Sequence, residues 1–261
     1  MQASIVALYG PKTDAFGSFL AYCQDTVAEI IGLQFRRYEI DQVHGTLIGL
    51  ERDASHREGF RNLNYWQKRR VDITMDFNGL LGFLREAVRL PFQIQIGGFE
   101  DREYPFASRA QRPYERSFSV QGSNVVLVGW PMKNLALSTA TGIDESVSYP
   151  VVLQSIRQGA QGYGVLHAYH SRPVDVDNDF FLRLGVIADA DSIEADTLQN
   201  LHDQMRMVLA SHSPHVVTID LSDLCVAFYE SPELPITSTR VLSLGDERLT
   251  GELIQQAYSL P

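Results

Sequence analysis

Apolar and polar positions alternate or recur along this chain in a pattern that predicts strands separated by helices. Ile5 to Leu8 is a short apolar run ended by Gly10-Pro11 and reads as a strand. Phe16, Leu20, Cys23, Val27, Ile30 and Ile31 then return every three or four positions, the spacing of one helix face, with Thr13 or Asp14 placed to cap its start and Gly32 its end. Gln34 to Glu39 reads as an extended lead-in to Val43-His44-Gly45-Thr46-Leu47-Ile48-Gly49-Leu50. Strand periodicity puts His44, Thr46 and Ile48 on one face of that stretch and Gly45, Leu47 and Gly49 on the other. Asp76 or Asn78 starts a helix with Leu81, Leu84 and Val88 on its apolar side, closed by Pro91. Phe92 to Phe99 alternates as a strand, and Glu100 to Glu115 reads as a loop, a flap or insert over a cleft. Ser117 to Val120 and Val125 to Val128 form two strands about a Gly122-Ser123-Asn124 turn, the second ended by Trp130-Pro131.

The rest of the chain repeats the theme. Pro150 opens a helix through Ile156 that stops near Gly159, and Phe180 to Ile187 is a strand. Asp191 and Glu194 suggest a capping box before a helix carrying Leu198, Leu201, Met205, Val208 and Leu209, broken at Ser213-Pro214. Val216 to Ile219 and Leu224 to Tyr229 read as strands, and Leu249 to Ala257 as a tail helix. Strand-helix-strand thus occurs twice. The order predicts an α+β fold of antiparallel or mixed sheets with helices outside, its two lobes facing each other across a groove. We expect a single two-lobed domain over 1–261, with intertwined halves near 1–120 and 121–261.

Composition narrows the function classes. The formal net charge is -10 and the sequence pI is about 5.1, which speaks against a partner that is long nucleic acid. Cys23 and Cys225 lie in apolar patterns and read as reduced core residues of a cytoplasmic protein. The N-terminus has no basic leader followed by an apolar core, and no run is long enough to span a membrane. There is no zinc-type cysteine spacing, His-Glu-x-x-His or glycine-rich phosphate loop, so neither a metal nor another cofactor is expected. Asp175, Asp177, Asn178 and Asp179 lack the glycine and terminal glutamate of a calcium loop and read as a solvated turn.

Candidate chemistry centres on His44 and Thr46, an imidazole and a hydroxyl side by side on one strand face, suited to moving a proton and holding a phosphoryl oxygen. Arg52 to Arg70 is rich in cations, Arg52 and Arg57 among them, with Tyr65 and Trp66 interleaved. It reads either as a nucleotide or RNA-end contact or as a solvated surface with two rings tucked inward. Gly162 to His170 brings His167, Tyr169 and His170, and Arg183 lies within the strand from Phe180.

These features resemble the 2H phosphoesterases, the LigT-like and cyclic-phosphodiesterase superfamily. The resemblance rests on the His44-Gly45-Thr46-Leu47 strand, the Phe92 to Phe99 strand, the late Val216 to Tyr229 hairpin and the two-lobed order, and it covers most of the chain. It implies a pseudo-symmetric two-lobed fold with one His-x-Thr or His-x-Ser strand per lobe. It also implies metal-independent hydrolysis of 2',3'-cyclic phosphates of nucleotides or RNA ends, a role in RNA processing, with His44 as a proton-transfer group and Thr46 holding phosphate. The second motif is missing: laid against His44 and Thr46, the second lobe offers Phe180 and Leu182, neither able to move a proton. Three outcomes stay open. The activity is lost, His167 or His170 supplies the second proton carrier, or the second group differs, with Arg183 holding phosphate and Arg52, Arg57 and Tyr169 binding substrate. The alternatives to an enzyme are a non-catalytic protein binding a small phosphate ester, nucleotide or RNA end, and a structural role with His44 in the core.

Overall fold

The structure is a computed structural model that describes residues 1–56, 59–88, 90–132, 150–167 and 176–259. In chain order its elements are β1 (Gln2–Ala7), α1 (Asp14–Ile31), β2 (Phe35–Arg37), β3 (Gly45–Gly49), α2 (Phe77–Gly82, running on into a π-helical turn Phe83–Ala87), β4 (Phe92–Ile96), α3 (Pro113–Arg116), β5 (Phe118–Gln121), β6 (Asn124–Met132), α4 (Val152–Gln161), β7 (Phe180–Ile187), α5 (Ala195–Ser211), β8 (His215–Ile219), β9 (Leu224–Tyr229), β10 (Arg240–Ser243) and α6 (Gly251–Ser259). The fold is α+β, as expected. Among the described residues ten strands form one antiparallel sheet in the order β10-β9-β1-β3-β7-β6-β4-β8, with β2 also on β7 and β5 also on β6. β9 and β10, from the end of the chain, sit beside β1 and β3, so the two ends of the sequence share one half of the sheet.

One sheet face carries the main core. Ile5 of β1, Ile94 of β4, Leu127 of β6, Phe180 and Leu182 of β7 and Val226 of β9 meet Phe19 and Leu20 of α1, Leu80 of α2, Ile156 of α4, Met205 of α5 and Ile254 of α6. α1 follows its periodicity: Thr13 accepts the Phe16 N–H, and Gly32 ends the helix at a φ of 66° that suits glycine. Asp76 caps α2 by accepting the Gly79 N–H. The expected capping box before α5 does not form, since Glu194 is the N-cap and its side chain makes no cap hydrogen bond. Trp130-Pro131 does not end β6, which runs to Met132. Val128 turns its N–H toward Ser117 O, so by alternation the position of Pro131 faces the β7 side, where pairing has stopped at Gly129. β10 was missed because Arg240 to Ser243 is short and exposed, with no inward apolar row to mark it.

Between β3 and β7 the sheet is nearly parted. Gly45 and Leu182 form their one registered pair, and beyond it on the Thr46 side the strands are held by a side chain. Arg157 of α4, 2% exposed, does this. Its Nε donates to Leu47 O at 3.0 Å and its Nη2 to Thr46 O at 3.3 Å and Asp179 O at 3.0 Å. Its Nη1 donates to the Asp177 carbonyl at 3.0 Å and carboxylate at 2.7 Å. The turn expected to be solvated is therefore buried polar structure. Asp179 is 1% exposed, and its carboxylate accepts from Ser108 Oγ at 2.6 Å and Trp130 Nε1 at 2.8 Å. Asn178 bonds Leu153 N–H and Pro150 O. Asp175 lies outside the described residues.

Replacing Arg157 by methionine leaves a buried carboxylate and four carbonyls without these donors. We expect Arg157→Met to lower unfolding free energy by about 3–5 kcal/mol, read from the urea midpoint.

Candidate functional site

Among the described residues the opposite sheet face is only partly covered, and the site lies in the gap between the segments that cross it. Two irregular segments cross it. Residues 97–117 lay Phe99, Tyr104 and Phe106 over Val128, Trp130 and Phe181, the flap the sequence suggested. Residues 230–239 lay Leu234 over Val6, Cys225, Ala227 and Tyr229, tied down by Tyr9 Oη to Leu234 O at 3.0 Å, Gln42 Nε2 to Glu233 O at 2.7 Å and Arg183 Nη1 to Pro232 O at 2.9 Å. Between them is a pocket lined, among the described residues, by His44, Thr46, Gln121, Asn124, Val126, Phe181 and Arg183.

Strand register explains who meets whom. Gly45 pairs with Leu182, so continuing by one residue sets His44 opposite Arg183 and Thr46 opposite Phe181. Arg183 pairs in turn with Val126 of β6. Gly45 must lack a side chain: a Cβ there would stand 2.1 Å from the Phe180 ring, which fills that space from the core side. Phe180 and Leu182 therefore face the core, and the β7 residues beside His44 and Thr46 are Phe181 and Arg183. Phe180 and Leu182, set against His44 and Thr46 from the sequence, thus do not share their face of the sheet. A bulge follows each pair. Between β1 and β3, Ile5 pairs with Ile48 and Val6 with Thr46, which skips Leu47 and turns Ile48 into the core. This corrects the simple alternation that put Ile48 beside His44. Between β6 and β7, Val125 pairs with Gly185 and Val126 with Arg183, skipping Leu184. Bulges re-aim side chains in this way next to many sites.

His44 is 6% exposed. Its Nδ1 is 2.6 Å from Gln42 O, and a carbonyl only accepts, so Nδ1 carries the proton and Nε2 is the free base. The Tyr9 ring stands edge-on at 5.7 Å. Burial pushes the imidazole pKa down to about 4, with the bond to Gln42 O working against the shift and the charges of Arg183 and Lys12 adding to it. Lys12, which the sequence gave no reason to single out, donates to Gly10 O at 2.5 Å and Asp41 O at 3.3 Å, and burial pushes its own pKa down to about 8. Arg183 Nη1 also reaches the Tyr38 hydroxyl at 3.4 Å. The site thus holds a neutral base among cations, an environment suited to an anion.

Of the residues named from sequence, His44, Thr46 and Arg183 come together here. His167 does not line the pocket. It is buried just after α4, where the neighbouring Leu166 N–H bonds Asn62 Oδ1. Arg52 lies beyond β3, its backbone bonded to the Gln2 side chain and its guanidinium 5.6 Å from the Tyr258 ring. Arg57, Tyr169 and His170 lie outside the described residues. The cationic run from Arg52 folds on itself: Arg61 pairs with Asp53 at 2.6 Å and stands 4.1 Å over the Trp66 ring, and Tyr65 is buried. Gln121, Asn124 and Phe181 were missed. Phe181 was legible as the partner of Arg183 two residues on, whereas Gln121 and Asn124 enter only through the β5–β6 hairpin, whose Gly122 takes a φ of 57°. Among the described residues no group of three or more His, Cys, Asp or Glu is arranged to hold a metal ion, and no helix is long and apolar enough to cross a membrane.

No family model matches the chain, and no curated protein matches it. Among solved structures it is similar to a conserved protein of unknown function from Agrobacterium tumefaciens, with 15% identity, a TM-score of 0.39, and 84% of this chain and 80% of that one covered.

A buried neutral histidine has a signed consequence. His44 binds a proton only near pH 4 when folded and near the model-peptide value of 6.5 when unfolded. Its contribution is intact above pH 6.5 and is lost as pH falls toward 4, because the unfolded chain takes up the proton first. The loss amounts to roughly 3 kcal/mol over that window. We expect the stability of the wild type relative to His44→Gln to fall by that order between pH 7 and pH 4, measured by urea unfolding of both proteins.

Proposed function

We propose that this pocket binds a phosphate ester and that His44 transfers the proton in its hydrolysis, making the chain a divergent 2H-type phosphoesterase-like protein. The observation that carries this reading is the convergence of His44, Thr46 and the cation Arg183 on one pocket. In the same reading the sheet is two pseudo-symmetric halves, β10-β9-β1-β3 and β7-β6-β4-β8, meeting at the Gly45–Leu182 seam. His44-Gly45-Thr46 before the Leu47 bulge then corresponds to Phe181-Leu182-Arg183 before the Leu184 bulge.

The chemistry follows from the side chains. Arg183 and the Thr46 hydroxyl hold non-bridging oxygens of a 2',3'-cyclic phosphate. His44 Nε2 accepts a proton from the attacking water as the new P–O bond forms and a ring P–O bond breaks. The leaving oxygen regains a proton from His44 or from solvent. A strained cyclic diester suits a site with one histidine, because its leaving group needs least help.

A second reading has its own support. In the pseudo-symmetric reading the counterpart of His44 is Phe181, which cannot move a proton, and this supports a phosphate-ester-binding protein without turnover. Turnover of 2',3'-cyclic nucleotides and a cyclic-phosphate RNA end in EDTA separates the two. We expect His44→Ala to lower kcat by about 100- to 10,000-fold and Arg183→Met mainly to raise KM. Saturable binding of the same compounds without turnover selects the second reading, and absence of both overturns each.

A further inference from the structure

The pocket wall opposite His44 is built by an arginine that never enters it. Arg116 of α3 is 4% exposed, and its Nη2 is 3.6 Å from the Asp179 carboxylate. That carboxylate is fixed by Ser108 and Trp130, and the Asp179 carbonyl by Arg157. The guanidinium also stands 5.2 Å from the Phe181 ring and reaches Gln121. An arginine has only donors, so the Gln121 amide must present its oxygen, which accepts from Nη2 at 3.1 Å and Nη1 at 3.2 Å. This bidentate grip leaves the Gln121 NH2 group to the pocket that the residue lines. A freely turning amide would offer donor or acceptor equally; this one is locked as a donor.

We propose that Gln121 Nε2 is a further donor to the bound phosphoryl group, and that Arg116 is the positioning residue that turns it. This rests on the phosphate-ester reading of the pocket. Asn124, across the hairpin from Gln121, uses its Nδ2 on the Gln121 carbonyl at 3.3 Å, which steadies the backbone that carries this amide. The two halves of the sheet then contribute different things: His44 and Thr46 from β3, and three donor-bearing or aromatic groups, Phe181, Arg183 and Gln121, from across the seam.

The test is a titration of the 15N-labelled full chain with inorganic phosphate, following the Gln121 side-chain NH2 pair, assigned by its loss in Gln121→Leu. We expect that pair to move saturably with the same Kd as the backbone signals of Arg183. Gln121→Leu should weaken phosphate binding about tenfold, the worth of one hydrogen bond to a charged group. Gln121→Glu should weaken it further by setting a carboxylate in the pocket. Arg116→Lys keeps the charge beside Asp179 but not the two-pronged grip, and it should abolish the phosphate response of the Gln121 pair while the rest of the spectrum stays dispersed. Phosphate binding that Arg183→Met weakens, with the Gln121 pair unmoved and Gln121→Leu at wild-type affinity, overturns this inference and leaves the pocket standing. Absence of saturable phosphate binding in the wild type overturns the phosphate-ester reading itself.

Discussion

The guanidinium of Arg157 has five N–H donors, and the seam between β3 and β7 uses all of them. Elsewhere neighbouring strands hold each other by backbone hydrogen bonds. Here the strands share one registered pair, so carbonyls of Thr46, Leu47, Asp177 and Asp179 would be buried without donors. A planar, permanently charged fork is the side chain that can serve several carbonyls from one point. Lysine has three donors and no fixed plane. The charge is answered by Asp177, so the seam holds a paired buried ion rather than an isolated one. The main-chain position of Thr46, and with it the hydroxyl in the pocket, depends on this side chain from the far side of the sheet.

The pocket exists because the two faces of the sheet are covered differently. Among the described residues helices pack on one face, while two segments lie over the ends of the other and leave the pocket between them. The gap lies over the seam, and the two bulges lie in the ladders on either side of it, β1–β3 and β6–β7. Partial cover also sets the electrostatics. His44 is desolvated enough to stay neutral, and the nearby charges of Arg183 and Lys12 oppose its protonation. A bound phosphoryl anion reverses that balance, since its charge favours the imidazolium. On the proposed phosphate-ester reading the base is therefore weak alone and stronger beside the anionic ester.

Much of the framework was legible in the chain. The 3.6-residue recurrence from Phe16 to Ile31 and the clean alternation of Phe92 to Ile96 became α1 and β4, because each buries one regular face. The site was legible in part. His44, Thr46 and Arg183 stand out as polar groups inside apolar strands, and the structure gathers them. What periodicity cannot see is a bulge: the skip at Leu47 turns Ile48 away from His44 and Thr46 and into the core. On β7 alternation holds, with Phe180, Leu182 and Leu184 in the core, and what the sequence lacks is the register that sets Phe181 and Arg183 against β3. Periodicity also cannot see that Asp179 is buried, because Ser108, Arg116 and Trp130, which meet its carboxylate, are at least 49 positions away.

The asymmetry between the halves bears on what the site can do. Two facing histidines let one group accept a proton while the other supplies one. Here the position facing that role across the seam holds a phenyl ring, beside which Arg116 and Arg109 stand at 5.2 and 5.9 Å. Cations stabilise a developing oxyanion but cannot release a proton near neutral pH. Such a site favours reactions whose leaving group departs without general-acid help, or binding alone. Charge stabilisation from Arg183 and an amide donor on one side, with a single base on the other, is therefore a coherent design for holding a phosphoryl group. On the proposed phosphate-ester reading it differs from the symmetric arrangement in the proton it lacks, and a substrate would have to differ in the same respect.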